Sequence, residues 1–272
     1  MGDSSVGMRR FLHAPLAREH AVQLYAHSAE LAEPVAAYLA AGFDRSEPGL
    51  VVATPRHAAL FAEELAQLGW DEARLEASSL LEERDAEATL AAFQVGGRIS
   101  ASRFEDVVGG LLDGIGRRFP GRHIRVYGEM VDVLCARGDR DAAAELEELW
   151  TRLLERRRRR FSLLCAYEVD VFDPAPQLSL LPQVCGAHTH VHPGVDPQGL
   201  GEAVRASLED ELGDAAAAVW AGLPAGIGRS GEVPVGEQAL MWVSVNMPSR
   251  AERILASARQ RYRGEAATVS SG

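Results

Sequence analysis

A run of histidines in the second half of the chain is its densest group of potential metal ligands. The segment is Cys185-Gly-Ala-His188-Thr-His190-Val-His192. If it forms a strand, alternate residues share one face, so His188, His190 and His192 would present three imidazoles together. Imidazole nitrogens suit zinc or iron, and Cys185 could be a fourth ligand. The spacing predicts either a metal site or a polar strand at the edge of a sheet.

A second candidate site is the segment Tyr25-Ala-His-Ser-Ala-Glu30, which ends the first predicted strand and begins the first predicted helix. In open α/β sheets, ligands bind beyond the carboxyl ends of the strands, and N–H groups at a helix N-terminus can hold an anion or a polar group. Tyr25, His27 and Ser28 could supply polar groups, and Glu30 lies in the first helical turn. The alternative is a plain turn in which Ser28 caps the helix.

A third candidate is Glu129, which follows an apolar strand and Gly128. A carboxylate at a strand end could coordinate a metal ion, orient water or accept hydrogen bonds from a ligand. It could equally be an acidic residue in the first turn of a helix, where the helix dipole favours it. No Ser-His-Asp ordering is readable, and the motif Gly-x-Ser-x-Gly is absent.

Strands and helices must alternate to position these residues. Short apolar runs predict strands at 21–25, 49–54, 123–127 and 161–167, and a further strand is predicted at 75–81, before an acidic run at 82–85. Patterns with helical periodicity lie between them. Such alternation is typical of βαβ units, so we expect an α/β fold with a parallel sheet and helices on both faces.

The predicted boundaries follow changes in composition. Residues 1–18 are expected to be a flexible lead-in, and residues 19–192 an α/β domain. A turn rich in proline and glycine then leads to a helical C-terminal extension over 193–263, and residues 264–272 are expected to fray.

The chain contains no lysine, so all 28 basic Lys+Arg positions are arginine. A Walker-type phosphate loop requires a lysine that reaches the β- and γ-phosphates, and this chain cannot supply one. The formal net charge of −11 argues against direct nucleic-acid binding and against docking on anionic membranes. Three distant cysteines and no apolar leader indicate a cytoplasmic protein. Among these cysteines, Cys165 lies in an apolar run and is expected to be a small buried hydrophobe.

Several segments, in order, resemble the MEDS (methanogen/methylotroph, dichloromethane-regulator sensory) domain family. His20-Ala-Val-Gln-Leu-Tyr25 followed by Ser28-Ala-Glu-Leu31 is similar to the family's opening. Arg122-His-Ile-Arg-Val-Tyr-Gly-Glu129-Met130 resembles its "lRvvGEM" motif. Further similarity covers the second strand and the segment from Glu145 to Tyr167, so that the resemblance extends over about residues 18–192.

The resemblance implies a RecA- or KaiC-like fold without the ATPase phosphate loop. It also implies a non-catalytic signal-input domain that senses a small organic compound. Carried over by position, Tyr25, Ser28, Glu30 and Glu129 are the residues that it associates with a ligand pocket, and His27 lies between the first two.

From the residues and the resemblance together, we expect a cytoplasmic protein that binds a small organic ligand and regulates a protein partner in signalling or transcription, with no cofactor. One alternative is a RecA-like nucleotide-binding protein that uses arginines and helix N-termini in place of the lysine. The other is a metal-dependent enzyme built on His188, His190, His192 and Glu129.

Overall fold

A computed structural model describes residues 4–156, 160–194, 196–223 and 233–269. The strands of the main sheet and of a short hairpin are β1 (His20–Tyr25), β2 (Gly49–Ala53), β3 (Leu81–Asp85), β4 (Gln94–Val95), β5 (Arg98–Ile99), β6 (Ile124–Gly128), β7 (Phe161–Glu168) and β8 (His190–His192).

Helices connect these strands and follow the last of them. They are α1 (Ser4–His13), α2 (Ser28–Phe43), α3 (Pro55–Gln67), α4 (Glu72–Ser78), α5 (Ala86–Phe93), α6 (Ala101–Phe104), α7 (Gly110–Arg118), α8 (Met130–Ala136), α9 (Arg140–Glu155), α10 (Pro174–Ser179), α11 (Leu181–Ala187), α12 (Pro197–Leu212), α13 (Ala215–Ala221), α14 (Val235–Asn246) and α15 (Pro248–Val269). A π-helical turn, Glu105–Gly109, joins α6 to α7. None of the helices in the described ranges is long and apolar enough to cross a membrane.

The main sheet has six strands in the order β3-β2-β6-β7-β1-β8. The pairs β2–β3, β2–β6 and β6–β7 are parallel. Every residue of β1, β2 and β6 is buried, as expected for strands covered on both faces. The predicted α/β class, with a parallel sheet flanked by helices and a helical C-terminal region, is confirmed.

The strand predicted at 75–81 is wrong. Most of that segment belongs to helix α4. Asp71 caps this helix by accepting a hydrogen bond from the backbone of Arg74. The strand is instead the acidic run itself, which forms β3 and pairs only with β2. An edge strand tolerates charged side chains because one side of it faces solvent, and such charges also discourage pairing with other chains.

The segment 1–18 was predicted to be a flexible lead-in, but most of it folds as α1. Met8 and Phe11 are buried, and the Phe11 ring stacks on Tyr38 with a centroid distance of 5.3 Å. The fully buried Arg125 of β6 donates to the carbonyls of Leu12 and His13, at 2.7 and 2.9 Å. These contacts hold the end of α1 in place, and no local sequence pattern indicates the partner of that helix.

Contacts divide the chain into two compact units. We call Met8–Gln23 with His27–Glu168 the sheet unit, and Met1–Gly7, Leu24–Ala26 and Val169–Gly272 the helical unit. This division differs from the predicted boundary between residues 192 and 193, because α10, α11 and β8 group with the C-terminal helices.

Within the helical unit, α12 packs against α14 and α15. Ser207 of α12 donates to Ser257 of α15 over 3.1 Å, and the Tyr262 hydroxyl accepts a hydrogen bond from the backbone of Asp196 at 2.9 Å. Helix α15 continues to Val269, so much of the segment predicted to fray at 264–272 is helical.

Candidate functional site

A buried carboxylate lies at the carboxyl end of β6. Glu129 follows the last residue of that strand and is 1% exposed. Its Oε1 accepts a hydrogen bond from the backbone N–H of Thr54. Its Oε2 accepts from the Tyr127 hydroxyl at 2.9 Å and contacts His57 Nδ1 at 2.8 Å. Both oxygens of the carboxylate are therefore engaged inside the protein.

The end of β2 supplies the partners because β2 and β6 are neighbouring parallel strands. Val52 lies in register with Gly128, so the two chain ends leave the sheet side by side. Thr54 then caps α3, and Pro55 occupies the first helical position, where its lack of an N–H costs nothing. This places His57 in the first turn of α3, within reach of the carboxylate.

The His57 ring links Glu129 to Ser28. His57 Nε2 lies 3.0 Å from Ser28 Oγ, while Nδ1 faces the carboxylate. An ionised carboxylate can only accept, so a neutral His57 carries its proton on Nδ1 and its Nε2 accepts from the Ser28 hydroxyl. His57 is buried and Ser28 is half-buried. A chain of hydrogen bonds thus runs from an enclosed carboxylate to a partly accessible hydroxyl.

Aromatic packing fixes the orientation of this chain. Phe61, one turn after His57 on α3, lies against the imidazole with a centroid distance of 6.1 Å. Its edge also meets the Tyr127 ring at 5.0 Å. Phe61 is buried, so both rings that contact Glu129 are held by a rigid apolar side chain.

The structure brings two of the predicted ligand residues together, since Ser28 and Glu129 share His57. Glu30 turns back to accept a hydrogen bond from the backbone of His27 at 3.3 Å, and the His27 side chain is exposed. Tyr25 is buried at the end of β1, where its carbonyl accepts from the Val169 backbone at 2.8 Å. A ligand role for any of these residues stays a prediction.

His57 and Tyr127 are not among the site residues predicted from the sequence. The segment Thr54-Pro55-Arg56-His57 carries a local signal, because a capping threonine and a proline fix His57 in the first helical turn. That signal does not reveal that Glu129 is the partner of His57. The two residues become neighbours only because β2 and β6 are adjacent in the sheet. The Ser-His-acid ordering that was not readable in the sequence is present in space as Ser28, His57 and Glu129.

The three histidines of the predicted metal site do not lie on one strand. His188 directly follows α11, and its Nδ1 lies 2.6 Å from the carbonyl oxygen of Val184, one turn earlier. Only His190 and His192 lie on β8, where both are half-buried. Burial lowers the pKa of His192, against an opposing effect of Asp196. Within the described ranges, neither β8 histidine belongs to a group of three or more potential metal ligands.

Comparison with known proteins agrees with the resemblance. A family model described as MEDS, the methanogen/methylotroph, DcmR sensory domain, matches residues 19–189. No curated protein is significantly similar to the chain. The match covers more than half of the sequence and includes Ser28, His57 and Glu129. The chain therefore belongs to the MEDS family of sensory domains.

Proposed function

We propose that this protein is a non-catalytic, cytoplasmic signal-input protein that binds a small organic molecule at Ser28 and His57 and regulates a protein partner. Membership in a sensory family supports the signal-input role. The observation that carries the site is the hydrogen-bonded chain from Glu129 through His57 to Ser28. We call these three side chains the polar relay.

The polar relay favours a ligand with a hydrogen-bonding group. Because the Ser28 hydroxyl donates to His57 Nε2, the lone pairs of Ser28 Oγ can accept from a ligand. A ligand that instead donates to Nε2 would displace the hydroxyl. Either event changes the hydrogen bonds at the start of α2 and α3. Ligand binding would then shift the population of a partner-competent state.

The RecA-like nucleotide-binding alternative is weaker. A phosphate loop needs a lysine, and the chain has none. The buried carboxylate of Glu129 also lies directly behind His57, and a nearby negative charge is unfavourable for phosphates. We accordingly expect neither ATP nor nucleic acid among the ligands.

Thermal melting tests this proposal. Wild-type protein is melted with methanol, with dichloromethane, which lacks a strong hydrogen-bonding group, and with ATP–Mg, beside Ser28→Ala and a control variant, Ser102→Ala, whose serine is exposed on α6. A ligand at about 100 times its Kd stabilises by about 2.7 kcal/mol, which is a rise of several degrees at roughly 2–4 °C per kcal/mol. We expect a rise with an organic probe that Ser28→Ala loses and Ser102→Ala keeps. A rise with ATP–Mg, or equal shifts in both variants, would overturn the proposal.

A second candidate function is acyl transfer by Ser28. Its hydroxyl, the imidazole of His57 and the carboxylate of Glu129 have the order and contacts of a Ser-His-acid triad. His57 Nε2 would take the proton as Ser28 Oγ bonds to the carbonyl carbon of an ester, and would return it to the leaving alcohol. Water would then release the acid and restore the serine.

A fluorophosphonate probe separates the two candidate functions, because it labels only an activated serine. The triad predicts a mass increase on the peptide that contains Ser28, absent from Ser28→Ala and reduced in His57→Gln. If wild type is not labelled but still binds an organic probe, acyl transfer is excluded and only the sensor function remains.

A further inference from the structure

A second cluster of polar side chains lies inside the sheet unit and shares no residue with the polar relay. His20 begins β1, Cys165 belongs to β7, which is the neighbouring strand, and Glu147 projects from α9. All three are buried, with His20 3%, Glu147 7% and Cys165 0% exposed. An imidazole, a carboxylate and a thiol that meet in the interior of a protein are donor types found in zinc sites.

The donor atoms lie at the separations expected of ligands that share one ion. His20 Nε2 is 3.1 Å from Cys165 Sγ and 3.6 Å from Glu147 Oε2, and the three donor atoms all lie within 4.8 Å of one another. Tetrahedral zinc with bonds of ~2.0–2.3 Å sets neighbouring ligand atoms about 3.3–3.6 Å apart. Small side-chain adjustments would therefore suffice to accommodate an ion.

A neighbouring tyrosine orients the carboxylate. Tyr167, two residues after Cys165 on β7, donates its hydroxyl to Glu147 Oε1 at 2.6 Å. The other oxygen, Oε2, is the one directed toward His20. Metal-binding carboxylates are commonly held in this way by an outer hydrogen bond, which fixes the oxygen that faces the ion.

The chemistry of the donors also suits a divalent cation. Glu147 supplies a carboxylate, His20 an imidazole nitrogen and Cys165 a sulfur that binds a metal ion as the thiolate.

We propose that His20, Glu147 and Cys165 bind a divalent transition-metal ion, with zinc as the best match. Thiolate and imidazole donors select zinc over magnesium or calcium, and a carboxylate is compatible with zinc. The ion would tie β1 and β7 to α9. The three proposed ligands do not include His190 or His192 of β8, and a bound ion would replace the expectation that the protein has no cofactor.

The test is direct metal analysis of the full-length protein. The protein is incubated with excess zinc under reducing conditions, passed through gel filtration and assayed for bound metal. Cobalt(II) is titrated separately, because a cobalt–thiolate bond produces a charge-transfer absorption band. We expect one zinc per chain and a thiolate band that saturates at one cobalt per chain.

Matched variants identify the ligands. Cys165→Ser and His20→Gln should lose the zinc, and Cys165→Ser should also lose the charge-transfer band. Cys135→Ser, which changes a half-buried cysteine on α8, should retain both. A variant in the core could fail to fold. The cobalt titration of wild type therefore also tests the proposal without any variant. A wild type that retains no zinc and produces no thiolate band would overturn the proposal, as would full zinc content in Cys165→Ser.

Discussion

At the scale of single residues, Glu129 carries the most interactions of the candidate site. It accepts hydrogen bonds from a backbone amide and a tyrosine, and it orients the His57 ring. The sequence predicted that Glu129 would lie at a strand end and have a role there. It did not predict that Ser28 would be reached through His57, because that contact joins residues 29 positions apart on different helices.

Replacing Glu129 with glutamine should abolish the response to the organic probe while the protein stays folded. The glutamine N–H2 group takes the place of Oε1, where it faces the Thr54 N–H, or of Oε2, where it faces both His57 Nδ1 and the Tyr127 hydroxyl. Either mismatch costs about 1–3 kcal/mol. An amide nitrogen at the Oε2 position also favours the other His57 tautomer, which can no longer accept from Ser28. Nitrogen NMR of the histidines should report the tautomer change, and urea unfolding the stability. Glu63→Gln, at an exposed position of α3, is the control; an unchanged probe response in Glu129→Gln would show that the site is misassigned.

A second acidic residue, Glu237, allows a prediction of how the stability of the protein depends on pH. Burial raises the pKa of Glu237 on α14 to about 8. This folded-state pKa exceeds the ordinary value of 4.5 for a glutamate, so the folded protein retains a proton that the unfolded chain releases. The contribution of Glu237 to the free energy of unfolding is therefore fully present below pH 4.5 and is lost as the pH rises toward 8.

Glu237→Gln should remove this dependence, because glutamine does not ionise. Urea unfolding at acidic and mildly alkaline pH should show that the stability of the variant relative to wild type increases with pH. The exposed Glu252 on α15, changed to glutamine, should leave the pH profile unaltered. An identical pH profile in Glu237→Gln and wild type would mean that the carboxyl group is ionised in the folded protein.

At the scale of elements, Arg125 joins α1 and α2 to the sheet. Its guanidinium donates to the Tyr38 carbonyl at 2.6 Å and to Glu47 at 2.8 Å. Helix α2 approaches it closely at Gly42, where an added Cβ would lie 2.4 Å from the arginine Cδ. The position requires a residue without a side chain because the arginine stem occupies that space.

Gly42→Ala should therefore destabilise the protein by about 1–3 kcal/mol, the usual cost of overpacking a core. Gly110→Ala is a matched control, since Gly110 also lies in a helix and an added Cβ there meets nothing within 4 Å. Alanine at that position should be neutral or stabilise by up to about 1 kcal/mol through helix propensity. Equal losses in denaturant unfolding would contradict the packing argument.

The elements also show which parts of the fold could be predicted. Apolar runs such as β2 and β7 were predicted because both faces of those strands are buried. Strand β3 was missed because an edge strand needs no apolar alternation, and its residues Leu81–Asp85 are half-buried or exposed. Helix α1 was missed because its partners, Tyr38 and Arg125, are distant in sequence. A local sequence pattern indicates that a segment is buried, but it does not indicate which distant element covers that segment.

At the scale of the whole molecule, family membership and composition point in the same direction. The matched segment, residues 19–189, contains all three residues of the polar relay. The absence of lysine removes the side chain that phosphate loops use, so ATP–Mg should not stabilise the protein. The partner that would receive the signal stays a prediction, as does the cytoplasmic location.

The most direct test of the central claim is the thermal melting of wild type, Ser28→Ala and Ser102→Ala with the organic probes and ATP–Mg. A sensor that uses the polar relay predicts a rise in Tm with an organic probe, lost only in Ser28→Ala, and no rise with ATP–Mg. A rise with ATP–Mg, or an organic response that survives in Ser28→Ala, would contradict the account.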